Sequence, residues 1–368
     1  MGGKLKKFTR IVAVAAAATM ATVGFITAPS QAATKVKVGL AYDIGGRGDK
    51  SFNDSAAAGL DRAVKKFGLK RSKDNICKGF DVCEVTVTQG TDSERTDALR
   101  QLAQQKFNPI IAVGFLYAGP ITTVAEEFPN TQFGIIDDAS VAALNVTSMI
   151  FAEEQGSYLA GVAAALASKS GKIGYIGGVR IPLLQKFEAG FVAGVKATNK
   201  SASVDVKYVT EFPDFSGFND PAKMKVIVKG MIDKGVDVVY SAAGGSGAGN
   251  FQAATEAAAA GKKIWTIGVD SDQYLTASAA EKKNMLTSMT KRVDNAVYDV
   301  IANAVSGRTV NDILDPKAGI YGRRYDLTNG GVGVSYSGGY INKYKAKIDA
   351  AAAAIKSGKI KVPSVPGK

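Results

Sequence analysis

The sequence predicts an α/β fold of two Rossmann-like lobes with a ligand cleft between them. Apolar runs of strand length alternate with longer amphipathic stretches, as in a parallel sheet with crossover helices. That alternation runs through the chain twice. The chain is also too long for one core, because about 336 of its 368 residues follow an N-terminal leader, and single cores stop growing at roughly 250–300 residues.

The leader comes first in order. Lys4, Lys6, Lys7 and Arg10 precede an apolar, Ala-rich run from Ile11 to about Ala28, and Pro29 and Ser30-Gln31-Ala32 follow. This is the pattern of a secretory signal cut after Ala32. A single membrane anchor is the rival reading, but the run is rich in Ala, Thr and Gly and short of about 20 strongly apolar residues.

Strands are expected at 36–42, 82–88, 110–114 and 132–137, with helices at 51–67, 93–106 and 120–128 between them. The order then repeats, with strands at 172–177, 205–210, 236–242 and 263–270 and helices at 183–198, 221–234 and 249–260. The fourth strand of each half ends in aspartates, Asp137-Asp138 and Asp270-Ser271-Asp272. A strand at 146–151 and a helix at 153–168 lie between the halves; a strand at 285–289 and a helix at 293–305 follow the second. A Gly-rich, hairpin-like stretch at 319–336, a helix at 341–355 and a basic tail end the chain. The expected domains are a signal peptide at 1–32, a first lobe at 33–150 joined by part of 275–310, and a second lobe at 151–274 joined by 311–360. Residues 361–368 form the tail.

Composition excludes several activities. There is no histidine, which rules out Ser-His-Asp and Cys-His catalysis and histidine-ligated metals. Beyond the leader, 42 basic residues face 33 acidic ones, a net charge of +9. The lysines are scattered, with no arginine run or aromatic interleaving, so they read as solvated surface and not as a nucleic-acid footprint. Cys77 and Cys83, with five residues between them in an exported chain, read as a local disulfide. A zinc site would need carboxylates to complete four ligands.

Enzyme motifs are approached and missed. Gly48-Asp49-Lys50-Ser51 lacks the glycines of a phosphate loop, and Gly244-Gly245-Ser246-Gly247-Ala248 lacks the last glycine of a nucleophile elbow and any base. The dinucleotide fingerprint fails at Asn250. Gly244 to Gly249 reads as a loop letting a backbone approach a ligand, or as a plain turn.

Ligands of open α/β sheets bind beyond the carboxyl ends of the strands. Phe52 lies ten residues past Tyr42, and Phe187 nine past Gly178, corresponding places in the two halves. Each taken singly is the kind of residue a core buries; their symmetry favours the cleft, where a flat ring could stack between them. Asn53, Asp137, Asp270 and Lys291 also follow strand ends, where capping or surface roles compete with binding. Together they offer amide, carboxylate and ammonium groups to a polar, planar, hydroxyl-bearing ligand.

At these residues the chain resembles the basic membrane protein family of substrate-binding proteins, whose best understood members are purine-nucleoside receptors of ABC importers. The marks are Asp49-Lys50-Ser51-Phe52-Asn53-Asp54-Ser55-Ala56, Phe133-Gly134-Ile135-Ile136-Asp137 and Glu153-Glu154-Gln155-Gly156-Ser157-Tyr158-Leu159-Ala160-Gly161. Gly177-Gly178, Pro182, Phe187, Gly190-Phe191, Gly194, Ala242-Ala243-Gly244-Gly245, Gly268-Val269-Asp270-Ser271-Asp272-Gln273 and Lys291-Arg292-Val293-Asp294 follow in order. The resemblance implies a periplasmic-binding-protein type I fold and a non-enzymatic monomer that needs no cofactor or metal and serves an ABC permease. It also implies that Phe52 and Phe187 sandwich a nucleobase, Asn53 and Asp137 read its edge, and Asp270, Lys291 and the Gly244 backbone hold the ribose. Many relatives are lipoproteins, but the leader has no cysteine for a lipid, so the expected location is periplasmic or at the cell surface without that anchor. A sugar-binding or sensor protein of the same fold, and a nucleoside hydrolase needing more aspartates than Asp43 near the first strand, are the rivals.

Overall fold

The apolar run Val38-Gly39-Leu40-Ala41-Tyr42 is buried along its whole length, as a strand covered by helices on both faces requires. In the computed structural model, which describes residues 36–74 and 76–367, this run is β1 (Val38–Tyr42). The expected signal peptide at 1–32 lies outside the described residues. From β1 the chain continues through α1 (Phe52–Phe67), β2 (Val82–Thr86), α2 (Asp92–Gln104), β3 (Ile110–Ala112), α3 (Ala118–Glu127), β4 (Phe133–Ile136) and β5 (Val146–Phe151). The second series is α4 (Glu153–Ala167), β6 (Lys172–Arg180), α5 (Pro182–Thr198), β7 (Ser203–Glu211), α6 (Pro221–Asp233), β8 (Val238–Ala242), α7 (Gly247–Ala259) and β9 (Trp265–Asp270). A short α8 (Ala279–Lys282), β10 (Met285–Lys291), α9 (Val293–Val305), β11 (Gly322–Tyr325), β12 (Val332–Val334) and α10 (Lys345–Lys356) complete it.

Two six-stranded sheets result, in the orders β11-β5-β4-β3-β1-β2 and β12-β10-β9-β8-β6-β7. Strand for strand the two orders correspond. Pairing is parallel except where β12 runs antiparallel to β10. The chain passes between the sheets after β5, after β10 and between β11 and β12, so all three crossings share one edge of the molecule. β2 and β7 form the opposite edges.

Residues 319–336 do not form the expected hairpin. Gly322–Tyr325 pairs with β5 in the first sheet, and Val332–Val334 pairs with β10 in the second. The turn between them is tight, with Asp326 accepting from Thr328 N and Asn329 N, and this local signal is the same whether two strands return on each other or part. Segment 311–360, expected wholly with the second lobe, is therefore divided, because β11 belongs to the first sheet.

Close helix packing places the elements around the crossings. A Cβ added at Gly190 of α5 would stand 2.1 Å from Glu154 O of α4, so a side chain there would force the two helices apart. That approach brings the start of α4 beside the residues near Phe187. Far from the crossings, Cys77 and Cys83 are joined in a disulfide that closes the loop leading into β2.

Candidate functional site

The carboxyl ends of both sheets converge on one cavity. All seven residues singled out from the sequence line it: Phe52, Asn53 and Asp137 from the first sheet's side, and Phe187, Gly244, Asp270 and Lys291 from the second. Cys77 and Cys83 lie elsewhere, on the β2 side of the first sheet.

On the first side, α1 opens into the cavity and Asp49 caps it. The Asp49 carboxylate accepts from the backbone N–H groups of Ser51, Asn53 and Asp54 at 2.8, 2.8 and 3.0 Å, satisfying donors that a helix start leaves unpaired. Burial raises the Asp49 pKa, and these donors oppose it. The Asn53 amide nitrogen donates to Asp49 and to Ile44 O at 3.2 and 3.3 Å. Its Oδ1 is buried without a partner.

Asp137, just after β4, and Asp270, the last residue of β9, stand at corresponding strand ends, and both adopt left-handed backbone, with φ of 69° and 63°. For a non-glycine residue this costs about 1–2 kcal/mol, and such strain concentrates at functional sites. Asp270 Oδ2 accepts from Ser51 Oγ at 2.7 Å. Burial pushes the Asp270 carboxyl up to about 7, against the lowering effects of Lys291 and Ser51. Burial likewise raises Asp137, and the Lys291 charge opposes it. Asp137 Oδ1, like Asn53 Oδ1, is buried without a partner.

Lys291 ends β10 with its side chain 2% exposed. Its Nζ donates to Asp137 Oδ2 at 2.5 Å, lies 3.1 Å from Glu153 Oε1, and stands 5.2, 5.1 and 5.6 Å from the ring centres of Phe52, Phe151 and Phe187. Burial alone would lower its pKa, but Asp137, Glu153 and Asp270 together hold it above the ordinary lysine value. A cation at these distances from aromatic faces is stabilised while staying out of water. Gly244, with φ of 55°, begins the turn into α7 and presents backbone in a conformation that side chains disfavour.

The cavity also holds residues that sequence reasoning missed. Asp43 follows β1 as Asp137 follows β4, a positional signal that could have found it; Arg95 holds its Oδ1 at 2.8 Å. Phe115 and Phe215 meet edge to face from opposite sides, with centres 5.9 Å apart. No local pattern pairs two phenylalanines 100 positions apart in the sequence.

Residues 35–365 match the family described as Bmp, ABC transporter substrate-binding protein PnrA-like. The chain belongs to this family. Among relatives of this Bmp protein, the CD4+ T-cell-stimulating antigen of Listeria monocytogenes is 35% identical over 340 residues, 89% of this chain and 88% of that one. The ABC transporter nucleoside-binding protein BmpA of Lactococcus lactis is 32% identical over 339 residues, 90% of each chain. A solved ABC transporter solute-binding protein of Aeropyrum pernix superposes with a TM-score of 0.71 at 28% identity, covering 89% of this chain and 93% of that one. The Bmp protein therefore has the periplasmic-binding-protein type I fold and is an extracytoplasmic substrate-binding component of an ABC transporter.

Proposed function

We propose that this Bmp protein binds a purine nucleoside in the cleft, without chemical turnover, and presents it to a membrane permease. The observation that carries this reading is the pair of orphaned acceptors, Asn53 Oδ1 and Asp137 Oδ1, on a cavity wall that also holds Phe52 and Phe187. A buried acceptor without a donor costs about 1–3 kcal/mol. A planar ligand with ring or amine N–H groups between the two phenylalanines would supply the donors and the stacking surface together. In this reading Asn53 and Asp137 read the base edge, while Asp270, Lys291 and the Gly244 backbone hold the ribose.

The two lobes close about the three crossings and bury the ligand, and the protein works as a monomer. It is exported by the signal at 1–32, cut after Ala32, and lacks a lipid anchor at that site. Thermal-shift and calorimetric screening of the mature protein against purine nucleosides, free bases and sugars tests the ligand class. Purine nucleosides should give the tightest binding, and a preference for a free sugar would overturn it. Chromatography after overnight incubation should recover the nucleoside intact; protein-dependent release of base and ribose would identify a hydrolase instead.

A further inference from the structure

Glu153 opens α4 immediately after the first crossing. Acidic residues in a first helical turn are ordinarily solvated and matched to the helix dipole, but Glu153 is 0% exposed. Its Oε1 lies 3.1 Å from Lys291 Nζ yet accepts no hydrogen bond, and its Oε2 accepts from Lys186 Nζ, next to Phe187, at 3.4 Å. It does not line the cavity. A buried carboxylate carries a desolvation penalty of several kcal/mol, so its place against the cleft's cation calls for a role.

The geometry of Lys291 supplies one. An ammonium has three protons, and one goes to Asp137 at 2.5 Å. With Asp137 as sole partner, the ammonium would settle wholly on that carboxylate. A second carboxylate, at the start of α4 just past the first crossing, holds it between the two. We propose that Glu153 is a positioning residue for the ligand, holding the Lys291 ammonium so that one of its protons and the free oxygen of Asp137 both face the cleft. The proposal rests on the nucleoside reading and adds a residue that acts through Lys291.

Calorimetry with inosine on the parent, E153Q, K291M and E153Q/K291M tests it. E153Q should bind inosine about tenfold more weakly, while adding E153Q to K291M should change affinity less than twofold, because the route through Lys291 is gone. If K291M does not fold, the pH profile of inosine affinity in the parent and E153Q replaces the cycle. The groups facing the cluster are Asp137 just after β4, Lys186 of α5, Tyr240 of β8, Asp270 of β9, Lys291 of β10 and the neighbouring Glu154 with Arg324. Loss of the Glu153 charge should move the acidic limb of that profile to lower pH; a purely structural role would lower the melting temperature and leave the limb in place. Folded E153Q binding within twofold of the parent, additive losses in the cycle, or an unmoved limb would each overturn the proposal. A parent that binds no nucleoside removes the functional reading itself, an outcome distinct from a parent that binds and an E153Q that binds equally.

Discussion

Replacing Asp270 by Asn probes the ribose end of the cleft with little change of volume. The parent carboxylate takes one hydrogen bond from Ser51 Oγ at 2.7 Å and lies on the cavity wall, where ribose hydroxyls would donate to it. Hydrogen bonds to an ionised acceptor are worth about 1.5–3 kcal/mol and neutral ones about 1, so D270N should cost a ribonucleoside about 1–2 kcal/mol, or roughly five- to thirtyfold. D270A, which removes the acceptor altogether, should cost ten- to a hundredfold by the same comparison. A 2′,3′-dideoxynucleoside should lose much less in either variant. Calorimetry at pH 8, where a carboxyl that titrates at about 7 is mostly ionised, gives the protein-by-ligand cycle at fixed salt. A coupling below about 0.5 kcal/mol, the scatter expected of independent sites, would remove Asp270 from the ribose site.

The same carboxyl predicts a pH dependence: ribose donors favour its ionised form, so ligand affinity should rise between about pH 6 and 8 and flatten in D270N, as read by binding titrations across that range. Stability moves the other way. The folded value, about 7, lies above the ordinary 3.8, so this group's favourable contribution is full below about pH 4 and is lost as pH rises through 7, which should make ligand-free D270N melt higher than the parent at pH 8. F52A and F187A should each weaken nucleoside binding by about 1–3 kcal/mol, the worth of base stacking on an aromatic ring; folded variants that bind like the parent in calorimetry would make both rings core residues. Replacing Cys77 and Cys83 by serine should cost about 2 kcal/mol in denaturant unfolding, as a short closed loop implies, with nucleoside affinity unchanged because the bridge lies outside the cleft.

Much of this fold is legible in the sequence because its signals are local. Strand-length apolar runs such as Val146–Phe151 and helical stretches such as Val293–Val305 occupy the expected positions, since each depends on the periodicity of its own side chains. The repeated order of strands and helices carries the corresponding places of Phe52 and Phe187, and of Asp137 and Asp270, before any contact is known. Asp43 shares that strand-end position and was legible in principle. Its neighbour Asp49 reads locally too, as the cap of a helix that begins three residues later.

What only the tertiary structure decided are relations between distant segments. The parting of β11 and β12 depends on vacant edges beside β5 and β10, 174 and 43 residues upstream by the pairs Arg323↔Met149 and Gly333↔Thr290, and the turn between the two strands has no information about either edge. The charges behave the same way: Glu153 is an ordinary first-turn acid by sequence, and its meeting with Lys291 exists only because two crossings share one edge. The raised Asp270 follows from burial, which outweighs the opposing hydrogen bond from Ser51, 219 positions away. Local propensity is set by neighbours along the chain, whereas desolvation and ion pairing are set by neighbours in space, and in a fold that crosses between its sheets three times the two sets share few members.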